Sequence, residues 1–155
     1  MRAVVQRVLS ASVDVVIPES RSLERVAAIG PGFMVLVGIR NDDTETDSVY
    51  LAQKIASMRI VEDLEGRINL SLADSGGAAL IVSNFTLYAD CRKGRRPSFS
   101  DAASGEAAVN LYRRFGDEIE KTGIPTQYGR FGAEMQVSLV NDGPITVLLD
   151  SRKQF

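Results

Sequence analysis

An α+β layer fold, a mostly antiparallel sheet backed by two main helices, is what this sequence predicts, and three observations carry it. Short β-branched runs crowd residues 2–39, two segments with helical periodicity and their own caps follow, and further apolar runs lie between and after those segments.

The first four runs are "RAVVQRV" (2–8), "SVDVVI" (12–17), "RVAAIG" (25–30) and, after the punctuating "GPG" (30–32), "FMVLVGI" (33–39); they predict an antiparallel meander. From Thr44 the period changes. Val49, Ala52, Ile55, Ala56 and Arg59 share one helical face, and Glu45 and Asp47 fall in the first turn, where the helix dipole favours acid. That spacing predicts a helix over 45–60. A second helix has Ser104 as cap, a stripe of Ala108, Leu111, Tyr112, Phe115 and Ile119, and Gly123 then Pro125 as stops. Gly116 inside it costs about 1 kcal/mol relative to alanine. Strands are predicted at 78–85, 135–140 and 145–149, the last two joined by "NDGP" as a tight hairpin turn. Because "FMVLVGI" and "ITVLL" are apolar on both faces, two helices leave apolar surface over. The surplus predicts a homodimer, with a second subunit on the free sheet face.

At 155 residues, 45% hydrophobic and 25% charged, the chain fits a single domain spanning 1–155. No apolar run approaches the roughly 18 residues of a membrane span, and "MRAVVQRVLSASVDV" lacks the apolar centre of a secretory signal, so a cytoplasmic protein away from membranes is expected. The lone Cys91 rules out an intrachain disulfide, and the chain has no histidine. Ser-His-Asp and Cys-His catalysis are thereby excluded; no phosphate-loop or dinucleotide-binding motif is present, and no metal or cofactor is expected. Glu62, Asp63 and Glu65 read as a solvated turn.

The charge is uneven. Arg92, Lys93, Arg95 and Arg96 against Asp90 give one loop a positive excess in a chain of formal net charge −2. That pattern reads either as a focused phosphate contact or as an ordinary solvated turn. A nucleic-acid-binding module is a second class of reading, but aromatics are few, at 6% with no tryptophan, and base recognition leans on stacked aromatics. General DNA binding is not expected.

Four stretches, "MRAVVQRV", "IGPGFMVLVGI", "SNFTLYADCRKGRRPSF" and "GRFGAEMQVSLVNDGPITVLLDS", resemble the D-aminoacyl-tRNA deacylases over essentially residues 1–151. Ser83-Asn84-Phe85-Thr86-Leu87 is similar to that family's Ser-Gln-x-Thr-Leu motif, with Asn84 where the family usually has glutamine. Asn141-Asp142-Gly143-Pro144-Ile145-Thr146 matches Asn-x-Gly-Pro-x-Thr at every fixed position. "PESRSLE" (18–24) departs as a longer surface turn.

The resemblance implies hydrolysis of the ester joining a D-amino acid, and in part glycine, to the 3′ end of tRNA, at a site shared by two subunits whose sheets pack in a barrel-like homodimer. It implies a cis Gly143-Pro144 peptide whose carbonyls reject L-substrates inside the partner's pocket. Arg7 would hold that turn, with Asn141, Ile145, Thr146 and Met135 around the substrate. Ser83, Asn84, Phe85 and Thr86 would form the catalytic edge, and Arg92, Lys93, Arg95 and Arg96 would meet tRNA phosphate. Two mechanisms stay open. In one the ribose hydroxyl vicinal to the ester supplies the missing proton chemistry and backbone N–H groups near Phe85 and Thr86 meet the oxyanion; in the other Thr86 is a nucleophile.

Overall fold

A computed structural model describes residues 1–155. The first two expected strands are one, β1 (Arg2–Val16), and its inward face changes side partway along. Ala3 and Val5 point to one apolar core, whereas Val8, Ala11 and Val13 belong to a second. The switch falls where the pairing register shifts, and a bulge is what turns a strand's side chains from one face to the other.

β1 is paired along both edges. On one edge, Arg2–Val8 pair with β3 (Gly32–Gly38) and Ala11–Val16 with β2 (Leu23–Ile29), all antiparallel. Along its other edge runs β8 (Met135–Asp150), also antiparallel. The N-terminal meander is therefore corrected: β2 and β3 both pair with β1 instead of following one another across the sheet. The hairpin at "NDGP" is corrected too, because residues 135–140 and 145–149 lie in the same strand and both pair with β1.

The sheet continues through β6 (Ala78–Ser83) and β7 (Thr126–Tyr128), each parallel to its neighbour. It then curls until β7 meets β2, where Gln127 Oε1 accepts the Ala28 N–H at 2.9 Å. β7 is too short, at three residues, to stand out in the sequence.

Both faces of the central strands are buried within this one chain. Phe33, Val35, Val37, Ala79 and Ile81 pack under the helices, while Met34, Leu80 and Val82 fill the inside of the curl with Val13 and Ala27. Curvature absorbs the apolar surplus of β3, but "ITVLL" in β8 is not covered on both faces: Leu148 is exposed and Ile145, Val147 and Leu149 are half-buried, and Leu9 and Val140 are exposed as well.

Helix α1 (Glu45–Ser57) begins where Asp47 accepts hydrogen bonds from the Thr44 N–H and hydroxyl, and it buries Leu51, Ala52, Ile55 and Ala56. It ends earlier than expected, so Arg59 lies outside it and donates instead to the Asn69 carbonyl of a small hairpin, β4 (Val61–Glu62) and β5 (Ile68–Leu70). One unforeseen turn, α2 (Leu72–Ser75), buries Leu72. The second main helix, α3 (Gly105–Glu120), buries Ala108, Tyr112, Phe115 and Ile119 as its periodicity predicts.

Gly116 has a packing reason to be glycine. A Cβ there would sit 2.4 Å from Cε1 and 2.5 Å from the hydroxyl of Tyr128, which is held by donating to Glu120 at 2.6 Å. Gly116→Ala is expected to destabilise the fold by about 1–3 kcal/mol in urea denaturation, the overpacking cost exceeding the ~1 kcal/mol gain in helix propensity.

Candidate active site

The ends of β3 and β6, the start of α3 and the start of β8 converge on a cavity of about 770 Å³. Leu36, Val82, Phe85, Phe99, Phe131 and Met135 are among its apolar lining, and Ser83, Asn84 and Ser104 add polar groups. No titratable side chain lines it. The positive end of the α3 dipole faces it through Ser104 and Gly105. Nowhere do three or more His, Cys, Asp or Glu side chains gather in a way that could hold a metal ion.

Of the expected catalytic edge, Ser83, Asn84 and Phe85 line this cavity and Thr86 does not. β6 stops at Ser83, and a single 3₁₀ turn, Phe85–Tyr88, follows in place of the strand end expected at Phe85. Asn84 caps that turn: its Oδ1 accepts from the Thr86 N–H at 3.1 Å and from the Thr86 hydroxyl at 2.5 Å. A two-residue reach of this kind is the Asx turn, natural to asparagine and one methylene out of register for glutamine. The Thr86 proton is therefore committed to an amide oxygen, which is no base, and the Thr86 N–H is already engaged. Phe85 stands exposed at the mouth, its ring edge-on to Phe99 at 5.1 Å.

Met135 lines the cavity, but Gly143 and Pro144 do not. They lie eight and nine positions further along β8, at most roughly 26–30 Å at the rise of a strand. Between the Gln6–Thr146 and Val8–Asn141 pairs, β8 carries Asp142 to Ile145 against the lone Arg7, so this segment bulges outward. Gly143 has φ +113° and its peptide with Pro144 is cis. Both residues are exposed. Asn141 Nδ2 closes the bulge by donating to the carbonyls of Arg7 and Ile145, each at 2.9 Å, and Thr146 accepts from Gln6 at 3.2 Å.

Arg7 is buried, not a surface charge. It donates to the Ile60 carbonyl at 3.0 Å and to Glu62 at 3.2 Å, and its Nε stands 2.8 Å from Asp142, paired in charge although angled away from a good hydrogen bond. The reading of Glu62 as part of a solvated turn is corrected: Asp63 and Glu65 do sit in one, but Glu62 reaches back to β1, and no spacing signals that.

The basic loop is a closed excursion, tied at its neck by paired backbone hydrogen bonds between Asp90 and Ser98 of 2.7 and 2.9 Å. Arg92 donates to Asp90 through two nitrogens, each at 2.8 Å, and that side-chain contact, then the Arg92 backbone N–H, holds the Asp90 carboxyl well below the usual range. One cation is thus spoken for. Lys93, Arg95 and Arg96 are exposed and lie in no ion pair.

The sequence pattern of the D-Tyr-tRNA(Tyr) deacylase family matches residues 4–150. The chain belongs to that family. Among its relatives, a D-aminoacyl-tRNA deacylase of Desulforudis audaxviator (strain MP104C) is 51% identical over 155 residues, covering 100% of both chains. Another, of Roseiflexus castenholzii (strain DSM 13941 / HLO8), is 55% identical over 97% of this chain and 92% of its own. A solved structure named c-Myc DNA Unwinding Element Binding Protein superposes with TM-score 0.87 and 40% identity over 97% of this chain and 98% of that one. A probable eukaryotic D-amino acid tRNA deacylase, 19% identical, shares the fold with TM-score 0.76 over 96% and 97% of the two chains. This family member therefore carries the fold of its relatives along nearly its whole length, from β1 to the end of β8.

Proposed function

We propose that the chain is a D-aminoacyl-tRNA deacylase, one catalytic domain that hydrolyses the ester between a D-amino acid, or glycine, and the 3′-terminal adenosine of tRNA. The observation that carries the reading is a cavity without a titratable side chain beside an exposed, capped turn. Such a site suits a reaction whose proton chemistry comes from the substrate. Water adds to the ester carbonyl; the ribose 2′-hydroxyl, vicinal to the ester oxygen, relays the water proton to the departing 3′ oxygen as the C–O bond breaks. The products are free amino acid and tRNA. A group held this way reaches an effective molarity of up to ~10⁵–10⁸ M. Among the backbone donors, the Phe85 N–H is assigned to the developing oxyanion, since that of Thr86 is already given to Asn84.

Chiral selection is assigned to Gly143 and Pro144 of a second copy. On their own chain they stand too far along β8 to reach the cavity, yet they are exposed and tethered through Arg7 and Asn141. Main-chain carbonyls rigidly presented there would clash with an L-substrate, a repulsive route to specificity that glycine, having no side chain, partly escapes. Lys93, Arg95 and Arg96 would grip phosphate.

The basic loop and the printed name of one solved relative favour a second reading, a nucleic-acid-binding module without catalysis. Release of free amino acid from D-Tyr-tRNA but not from L-Tyr-tRNA supports the deacylase; both left intact supports the binder.

Gly143→Ala strains a residue at φ +113° and sets a Cβ 2.9 Å from Ile145 Cγ1, so the D/L rate ratio is expected to fall at least tenfold in single-turnover assays. Thr86→Ala is expected to keep activity within about tenfold, roughly 1.4 kcal/mol of barrier, whereas a 2′-deoxy terminal adenosine should lose far more. An acyl-enzyme trapped on rapid quench would instead make Thr86 the nucleophile. Replacing Arg95 and Arg96 by alanine should raise KM for tRNA, leave kcat nearly unchanged and shrink the log–log salt slope by about two.

A further inference from the structure

We propose that Glu62, on the small β4–β5 hairpin, is a positioning residue for the selectivity of the enzyme: it fixes the Arg7 guanidinium, and through it the Gly143-Pro144 bulge. The inference rests on the deacylase reading and deepens it. One guanidinium meets both the hairpin and the bulge. Its Nη1 donates to the Ile60 carbonyl at 3.0 Å and its Nη2 to Glu62 Oε1 at 3.2 Å, so the hairpin holds the fork from two sides. The adjoining edge of the same group meets the bulge: Nε lies 2.8 Å from Asp142 Oδ2, and Nη2, the nitrogen given to Glu62, lies 3.2 Å from the point where a Cβ on Gly143 would lie.

The bulge itself has little else to fix it. Gly143 and Pro144 are exposed, and no strand pairs with the outer edge of β8. Asn141 secures the ends of the bulge, not its tip. A guanidinium with 7% of its side chain exposed, caught between carboxylates on two different elements, is the contact that ties the tip to the hairpin. A planar fork fixed at two donors cannot pivot at the third, which is why arginine serves where orientation matters. Without Glu62 the guanidinium keeps a single hydrogen-bonded donor, Nη1 on the Ile60 carbonyl, while Nε meets Asp142 in charge without a hydrogen bond, so the group is free to turn about that one bond, and the bulge moves with it. Its neighbours Asp63 and Glu65 have no such contact; Glu65 pairs with Arg67 on the same hairpin.

The test uses the full chain as it assembles. Glu62→Ala, Glu62→Gln, Asp142→Asn and, as a control, Glu65→Ala are compared for D-Tyr-tRNA and L-Tyr-tRNA deacylation, and for backbone hydrogen exchange of a peptide covering 141–146. Glu62 is half exposed, so its variants are expected to fold. Glu62→Ala should lower the D/L ratio at least fivefold, mainly by admitting the L-substrate, while kcat for the D-substrate stays within twofold; exchange at 141–146 should quicken at least fivefold. Glu62→Gln, which keeps an acceptor for Nη2, should recover most of both. Asp142→Asn should loosen the same peptide, and Glu65→Ala should change nothing. An unchanged exchange rate in Glu62→Ala overturns the proposal, as does faster exchange with an unchanged D/L ratio, or an equal loss on both substrates. If Glu62→Ala does not fold, unchanged exchange and selectivity in Asp142→Asn overturn it instead. Wild-type protein that cleaves neither substrate, or both alike, defeats the deacylase reading itself, while the exchange measurement still reports on the Glu62–Arg7 tether.

Discussion

The antiparallel pairing of β1 with β8 is the constraint on which the rest of the structure depends. Because β1 is paired along both edges, it cannot slide without breaking register with β2, β3 and β8 together. Its change of face near Arg7 lets one strand serve the helix-covered core and the core inside the curl. The same irregularity decides what β8 must do opposite it: three residues more are needed on β8 than on β1 between matched pairs, and they are pushed outward. The pairing thus fixes the cavity at one end of β8 and the exposed Gly143-Pro144 segment well along it.

The chemistry follows from that separation of parts. The cavity collects strand ends and a helix start, which offer backbone groups and dipoles, and its side chains are apolar or neutral. Charge stands outside it: on the basic loop between Asp90 and Ser98, and under the bulge where Arg7 meets Glu62 and Asp142. A reaction run here depends on geometry and exclusion, with cations kept for binding and for holding main chain in place.

Much of this was legible in the sequence where a single element carries its own signal. The stripe of α3, the acidic start of α1 and the strand residues of β3 and β6 all sit where periodicity puts them, because each reports a face turned to one core. The errors share a cause. Leu9-Ser10 and Asn141-Asp142-Gly143-Pro144 look like punctuation locally, yet pairing with a distant strand carries the chain straight through both, so β1 was expected as two strands and "NDGP" as a hairpin. β7 has three residues and exists because β6 offers it an edge. Closure of the sheet on itself, which buries the second face of β3 and β6 within the chain, is a tertiary outcome that no local pattern signals. In the site, the motif residues could be named in advance, but the Asx cap that occupies Thr86 and the reach of Glu62 to Arg7 depend on side-chain direction and on elements 55 positions apart.

The outer edge of β8 is a long row of backbone groups with no neighbouring strand. A row of that kind is a template for open-ended strand addition, the first step towards fibrous aggregation. The bulge at Asp142 to Ile145 breaks the row, and Pro144 has no N–H to donate. Neither half beyond the break is long: Met135 to Asn141 on one side, Thr146 to Asp150 on the other. The segment that reaches outward from the sheet therefore also acts as its gatekeeper, leaving the molecule free to present β8 without inviting an indefinite stack of copies upon it.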